Sequence, residues 1–539
     1  MTDDPSQQTL TDSQPTTSLT TEELEKHLFK CADIIRNTVD KTDYKDYILP
    51  LVFYKSISDT FVDEYAENLE EFDDPELARD EAFHDFQIPE GYLWEADDDA
   101  LPDGYEWEGK DAEQDLRSQK ENVASFIDEA FTEIENANPD QLDGVFRSDF
   151  MAADALAESD GKLVRLVEHL STHNLSQERL PDDMLGEAYM DLVRHFASEE
   201  GRDGGEFFTP PQIVQMMVRL LAPYEAGDTF HDPTCGSAGF LIEAAHHFRK
   251  EQDGDPSKLT MTGQEVNPDI ASIAKMNLFL NGLNGEVRRQ DSLSEPLFTE
   301  DDTTLQKFDY VLANFPFSAN WDKDGLQDDP YGRFDWADKL PRADRGDYAF
   351  IMHIAEQLNE TGRAAIVVPN GVLFRKHEQR YREAMVGDHN LVEAVIGLPA
   401  DLFQNNSIPT SILVLNEDKP EEREDEVLFL HAADNHAVDE PFYRDVSNSS
   451  QNELTENGVD HIVDNYHDWT TEEKVSRTVK REEIRENDYN LNIALYVDTT
   501  EPEEDIDVAE ELADLRELQQ ERADIEARLD QHMEALNYE

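Results

Sequence analysis

The chain has 539 residues, 38% of them hydrophobic, which is enough for several domains and more than one apolar core. It carries 123 Asp and Glu against 45 Lys and Arg, a net charge of −78, yet the acids alternate with periodic apolar stretches that argue against global disorder. Two cysteines, Cys31 and Cys235, give no disulfide framework and no Cys-rich metal site, and no run of about 18 apolar residues suggests a membrane span.

The acidic excess points to a halophile. At molar salt the Debye length falls to roughly 3 Å, so surface carboxylates repel one another weakly, and a dense anionic surface keeps the protein soluble. The same charge opposes DNA binding at low salt, so any DNA contact must use local basic spots or come largely from a partner. No secretory pattern opens the chain, and a cytoplasmic soluble protein is expected.

In chain order, residues 1–19 are polar and rich in Pro, Ser and Thr, and read as a disordered tail. Helical patterning starts at Thr20-Thr21-Glu22-Glu23, with Leu24, Leu28, Cys31 and Ile35 on one face. A second apolar block runs from Tyr47 to Ile57. From Glu64 to about Gln119 the chain is acidic and irregular, with Trp94 and Trp107 as local anchors. Helical patterns return at Val123–Ile134, Leu163–Leu170 and Met184–Phe196. These define a helical region over residues 20–180.

After Gly205 short apolar runs alternate with helix-like stretches, the pattern of a βαβ series. Strands are expected at Thr229–Asp232, Leu259–Glu265, Val287–Asp291, Tyr310–Asn314, Ala364–Pro369, Ala394–Leu398 and Ser411–Leu415. Helices are expected at Pro210–Leu221, Ala238–Phe248 and Pro268–Leu280. Glu417–Arg485 is acidic and carries no clear pattern. From Asp507 to Leu536, apolar residues at helical spacing describe a long amphipathic helix that needs a partner.

An open, mostly parallel sheet binds ligands at strand carboxyl ends, and the unusual loops lie there. Gly205-Glu206-Phe207-Phe208-Thr209-Pro210-Pro211 precedes a helix that Thr209 can cap, with free amides suited to a carboxylate. Asp232-Pro-Thr234-Cys235-Gly236-Ser237-Ala-Gly239 follows the first strand; its glycines permit a tight turn and close ligand approach. The G-x-G-x-x-G fingerprint is absent, which disfavours a nicotinamide cofactor. Glu265 ends the second strand, where an acid can accept both hydroxyls of a ribose. Gln290-Asp291-Ser292 ends the third and can meet an adenine amine. Asn314-Phe315-Pro316-Phe317 ends the fourth and sets an amide oxygen, a backbone carbonyl and an aromatic face beside one another. Such a group suits a flat amino-bearing ring. His246 and His247 adjoin on a helix and point apart, so no metal site is expected, only a solvated helix surface.

In this order and spacing the chain resembles the modification (methyltransferase) subunit of type I restriction–modification systems, an N6-adenine DNA methyltransferase family. The likeness covers roughly residues 20–535 and includes Leu24-Glu-Lys-His-Leu-Phe, the segment Tyr47–Asp59, Leu185-Gly-Glu-Ala-Tyr, Gly205–Pro210 and Tyr489-Asn-Leu-Asn-Ile. The resemblance implies an α/β fold: a doubly wound S-adenosylmethionine-dependent methyltransferase sheet with an N-terminal α-helical domain and a C-terminal amphipathic helix. Domains would span residues 20–180, 181–485 and 486–539, the last docking another subunit. Glu206–Pro211, Thr234–Gly236, Glu265 and Asp291–Ser292 map to cofactor positions, and Asn314–Phe317 to the catalytic tetrapeptide. The usual family form is Asn-Pro-Pro-Phe, so Phe315 is a departure that should reduce rigidity but keep activity, because a backbone carbonyl is what that position supplies. Phe317 would stack on the adenine. Implied partners are double-stranded DNA, a specificity subunit, a second modification subunit and a restriction subunit that can join to make a nuclease. The rivals are a protein-glutamine or RNA methyltransferase and a noncatalytic assembly subunit.

Overall fold

The computed structural model describes residues 19–107, 115–177, 179–181, 183–199, 208–403, 408–435, 438, 440–446 and 451–499, with Leu518, Gln519, Arg522, Ile525 and Leu529 beyond them. The expected tail therefore lies outside the described residues except for Leu19. No helix among the described residues is long and apolar enough to cross a membrane.

Helix Thr21–Ile35 opens on a capping box: the Thr20 hydroxyl accepts from the Glu23 amide, and the Glu23 carboxylate accepts from the Thr20 amide. Its expected face, Leu24, Leu28, Cys31 and Ile35, is fully buried. Helix Tyr44–Phe72 follows and is enclosed on all sides from Ile48 to Asp63. It runs nine residues into the stretch expected to be irregular and stops at Asp73, which adopts a left-handed φ of 53°. The rest of that acidic stretch is pinned by its tryptophans. The Trp94 amide donates to Ser58 Oγ (2.7 Å) and its indole to Ser171 Oγ (2.8 Å); the Trp107 indole donates to the Asp97 carbonyl (3.1 Å).

The helical region shares its core with the sheet region. Ile270, Ile273, Met276 and Leu280 of helix Pro268–Leu280 pack into the same apolar cluster as the N-terminal helices. Gln177 Nε2 donates to the Phe279 carbonyl (2.6 Å), and Arg147 pairs with Asp269 (2.7 Å).

The strands are β1 (Thr229–Asp232), β2 (Thr260–Glu265), β3 (Gly285–Arg289), β4 (Thr299–Asp301), β5 (Thr304–Leu305), β6 (Phe308–Ala313), β7 (Leu358–Pro369), β8 (Val392–Gly397), β9 (Thr410–Asn416), β10 (Glu426–His431), β11 (Tyr443–Asp445), β12 (Asn452–Leu454) and β13 (Ser476–Lys480). β4–β5 and β11–β12 are separate two-stranded pairs; the other nine form one sheet in the order β13-β10-β8-β9-β7-β6-β1-β2-β3. Pairing is parallel except that β9 runs against β7 and β8, and β13 against β10. Both faces are covered, and successive residues go to opposite sides. On β7, Ala364, Ile366 and Val368 join one core while Ala365 and Val367 join the other. The sheet is doubly wound, as expected.

The unassigned stretch Glu417–Arg485 supplies β10, β13 and helix Glu456–Asp468. The expected third strand ends two residues early, so Gln290–Ser292 form a loop rather than a strand end. The compact body runs to Val497, and Leu491, Ile493, Tyr496 and Val497 are core residues. The expected boundary at residue 486 therefore falls inside packed chain, because Leu491 hydrogen-bonds to the Leu373 carbonyl (2.8 Å) and Arg382 to that of Tyr489 (2.7 Å). Asp498–Glu539 forms a separate unit, in which Leu518, Ile525 and Leu529 are helical and exposed.

Candidate active site

From β1 the chain steps outward to β2 and β3 on one side; β6 and β7 lie on the other. The order reverses between β1 and β6, which pair directly through Phe230–Tyr310 and His231–Val311. Connections leave in opposite directions there and open a crevice at the strands' carboxyl ends. A cavity of about 840 Å³ fills it.

Asp232 closes β1 and is almost wholly buried; one carboxylate oxygen accepts from the Thr234 amide (2.9 Å). Burial, then the charge of Glu265, pushes its carboxyl up to about 8 against the pull of that amide. The turn that follows places Gly236 at φ 52° and Ala238 at φ 67° before helix Gly239–Gln252 begins. A Cβ on Gly239 would meet nothing within 4 Å, so the turn leaves open space on the cavity side. Glu265 closes β2. Its two oxygens accept from the Gly236 amide (3.1 Å) and the Asn267 amide (2.8 Å), which lock its plane, and burial raises its carboxyl. The β3 loop is braced twice: Gln264 donates to the Gln290 and Glu295 carbonyls and accepts from Leu297, and the Ser292 hydroxyl bonds to the Pro233 carbonyl.

The tetrapeptide leaves β6 against this wall. Asn314 Nδ2 donates to Thr209 Oγ1 (3.0 Å). Phe315 is buried and stacks at 7° on Phe350, with ring centroids 5.0 Å apart. Ser318 turns at φ 52°, and its amide donates to Asp347 Oδ1 (2.6 Å). Asp347 is fully buried and pairs through its other oxygen with Arg375 (3.0 Å).

Phe208, Thr209, Pro211, Asp232, Thr234, Cys235, Gly236, Ser237, Gly239, Glu265, Asp291, Ser292, Asn314 and Pro316 all line this one cavity. Glu206 and Phe207 lie outside the described residues. Pro210, Phe315 and Phe317 do not form its wall; the Phe317 ring lies half-buried, angled at 86° to Phe315 and 77° to Phe403. Thr209 does not cap the helix. That helix starts at Pro211 with Pro210 as a cap that makes no side-chain bond. Two prolines lack N–H groups, and the Ile213 and Val214 amides already serve the Pro210 carbonyl, so this end offers a carboxylate few donors. The Cys235 thiol is pushed well up by burial and is no nucleophile. His246 and His247, expected on a solvated surface, are part of the cavity wall, where burial lowers both. Among the described residues no cluster could hold a metal ion.

Three contributors escaped the sequence reading. Val266 is 59% exposed and lines the cavity directly after Glu265. Asp347 and Arg375 hold the tetrapeptide from 29 and 57 residues beyond Ser318, and no spacing announces them. The apolar residue after the strand-end acid was the one readable signal.

These features suit S-adenosylmethionine: two carboxylates that pair with no cation among the described residues, an open glycine cradle and an exposed apolar side chain converge on one space. A family model described as N-6 DNA Methylase matches residues 180–505, and one described as HsdM N-terminal domain matches residues 24–170. The chain belongs to the N-6 DNA methylase family: it is an S-adenosylmethionine-dependent, adenine-specific DNA methyltransferase of the type I restriction–modification kind. It is 30% identical to the type I restriction enzyme MjaVII methylase subunit of Methanocaldococcus jannaschii over 94% of this chain and 83% of that protein. It is 28% identical to the MpnII methylase subunit of Mycoplasma pneumoniae over 90% and 91%. The crystal structure of a type I restriction-modification system methyltransferase subunit from Streptococcus thermophilus superimposes with a TM-score of 0.71 at 29% identity, over 89% of this chain and all of that one.

The glycine turn packs hard on β2: a Cβ on Gly263 would stand 2.8 Å from Cys235 Sγ and 2.9 Å from its Cβ. Gly263→Ala should therefore displace the turn, with a loss of about 1–3 kcal/mol in denaturant unfolding and weaker cofactor binding. Adding Cys235→Ala should recover part of both. No recovery in the double variant would show that the contact is not what limits the turn.

Proposed function

We propose that Asn314 and Phe315 activate the target amine and that Asp232, the turn Thr234–Gly239, Glu265, Val266 and Asp291 hold the cofactor. The observation that carries this reading is the single cavity shared by Asn314, Gly236 and Glu265. Bound S-adenosylmethionine supplies a methyl group on a positively charged sulfur. The exocyclic amine of adenine is a poor nucleophile because its lone pair is delocalised into the ring. Asn314 Oδ1 and the Phe315 carbonyl accept its two N–H bonds, which draws the nitrogen toward a pyramidal shape and frees the lone pair. Thr209, by taking the Asn314 amino group, leaves the amide oxygen as the free acceptor. Positioning and fixed hydrogen-bond acceptors do the work, with no side-chain nucleophile. The target base must leave the duplex, and Phe317 stacks on it; neither neighbouring ring lies parallel to Phe317. Asp232 would hold the ammonium of the cofactor, Glu265 its ribose, and Val266 and Asp291 its adenine. Glu206 and Phe207 belong to the same group by position in the sequence.

The protein works in the cytoplasm as one of two modification subunits beside a specificity subunit that chooses the DNA site, with a restriction subunit joining in the nuclease form. The M. jannaschii and M. pneumoniae relatives are named as methylase subunits of such enzymes. The unit beginning at Asp498 docks the specificity subunit, a role supported by the exposure of Leu518, Ile525 and Leu529 on a helix.

Asn314→Ala should cut adenine methylation by the assembled enzyme at least about 100-fold, as loss of one fixed transition-state hydrogen-bond partner does elsewhere, while cofactor affinity stays near normal. Methylation near the wild-type rate would remove Asn314 from the mechanism. Removing Asp507–Glu539 should weaken assembly with the specificity subunit in sedimentation or pull-down; an undiminished complex would place the docking surface elsewhere.

Asp232 adds a pH test. With its carboxyl raised to about 8, it is mostly protonated in the free protein at pH 6–7, and pairing with an ammonium requires the carboxylate. Binding then releases a proton, so affinity should rise with pH from about 6 to 7.5, by up to about tenfold per unit, below the titration of the ligand's own amine at about 7.7–8.0. Calorimetry in two buffers would measure the proton, and Asp232→Asn should abolish the rise. An equal rise in that variant would assign it to another group.

A further inference from the structure

A second cavity, of about 600 Å³, opens where the chain continues past the tetrapeptide. Its wall carries Lys323, Lys339, Arg342, Arg345, His377 and Arg380, with Glu378 as the one acid. Across the whole chain acids outnumber bases, 123 to 45, so this local reversal stands against the composition. The nearby acids are turned outward: Asp344 pairs with Arg342 (2.6 Å) and Asp338 with Arg380 (2.5 Å), both largely exposed. Among the described residues, Lys323, Lys339 and Arg345 have no acid within ion-pair distance. Arg345 Nε is enclosed with no hydrogen-bond partner, a donor that lacks an acceptor. Glu378 is engaged by Arg375 (3.5 Å) and His377 (3.2 Å). The imidazole of His377 is lowered by burial and then by Arg345, Arg342, Arg375 and Arg382, so cations converge here from several elements.

The cavity is fastened to the tetrapeptide. Gly346 donates to the Ala319 carbonyl (2.8 Å), the Trp321 amide to the Ala343 carbonyl (3.0 Å) and its indole to that of Arg342 (2.8 Å). Tyr348, in the wall, follows Asp347, whose carboxylate holds Ser318 directly after Phe317. The Tyr381 hydroxyl donates to the Lys339 carbonyl (2.9 Å) and fixes the backbone there. A rigid, cationic hollow with unpaired donors fits an oxyanion that carries charge but is not consumed.

We propose that this cavity seats backbone phosphates of the DNA flanking the turned-out adenine. The proposal rests on the reading of Asn314–Phe317 as the methyl-transfer site and adds where the strand is gripped. A base leaves the helix only if its backbone is held in the altered path. Phosphate contacts fix register and orientation. Here they lie one hydrogen-bonded link from the segment that receives the base, so gripping the strand and placing the amine are one act. With acids outnumbering bases 123 to 45 over the chain, a basic hollow also favours entry of the strand in one orientation.

The test uses the assembled methyltransferase with Lys323→Ala and Lys339→Ala combined, and separately Arg345→Gln. DNA affinity is measured over a series of salt concentrations, with cofactor affinity and folding measured alongside. The double variant should lower the slope of log K against log[salt] by about 0.9 for each phosphate that is no longer neutralised, near 2 in all. It should weaken cognate and noncognate DNA alike and raise the KM for DNA at least tenfold, with kcat at saturating DNA and cofactor affinity little changed. Arg345→Gln should weaken DNA binding in the same sense. An unchanged salt slope and KM in a complex whose parent methylates adenine normally would overturn the proposal and leave the catalytic reading standing. A parent complex that methylates no DNA would bring down the catalytic reading, and this proposal with it.

Discussion

The reversal of strand order between β1 and β6 is the constraint on which the rest of the molecule depends. Parallel neighbours deliver their carboxyl ends to one rim, and only at this point do the following loops diverge and leave space between them. Asp232, Glu265 and Asn314 are far apart in sequence but close three strands at that rim. The helical region packs on helix Pro268–Leu280 and so buttresses the β2–β3 side of the crevice.

Within the crevice the chemistry is set by how buried carboxylates are held in an already acidic protein. Glu265 spends two lone pairs on backbone amides, which fixes its plane. Asp232 receives the amide and, at 3.5 Å, the hydroxyl of Thr234, and burial together with the charge of Glu265 drives its carboxyl up to about 8. Among the described residues no cation pairs with either of them. On the tetrapeptide side the arrangement is opposite in sign: Asp347 is buried but compensated by Arg375 and by the Ser318 amide, so it serves as a fixed strut. The acid that braces the tetrapeptide carries a paired cation, and among the described residues the two strand-end acids do not.

The sequence disclosed elements whose signal is local. β1 was bounded correctly because an apolar run meets a glycine turn, and β2, β6 and helix Pro268–Leu280 followed from short periodic stretches between loops. β10 and β13 were not legible: each is a short run amid acids, and their strand character comes from pairing with β8 and with each other. Helix Asp347–Glu356 is buried on nearly all sides, which erases the amphipathic period by which a helix is read. At the site, the loop motifs were visible, but Thr209's bond to Asn314 spans 105 residues and Asp347's to Ser318 spans 29. Such long-range struts leave no spacing in one sequence.

Phe315 shows how packing can replace a local constraint. Proline at the second tetrapeptide position would fix φ by its ring; phenylalanine gives that up, and the sequence alone suggests a looser turn. In the fold, its ring is 1% exposed and lies parallel to Phe350. Phe350 stands one turn into the helix that Asp347 opens, and Asp347 holds the amide of Ser318. The segment is thus clamped on both sides of Pro316, by an aromatic stack before it and a charge-assisted hydrogen bond after it. Aromatic pairs add about 0.5–1.5 kcal/mol beyond the area they bury, comparable to the backbone freedom that one proline removes. Rigidity that the ring of proline would supply within one residue is supplied here by a neighbouring helix.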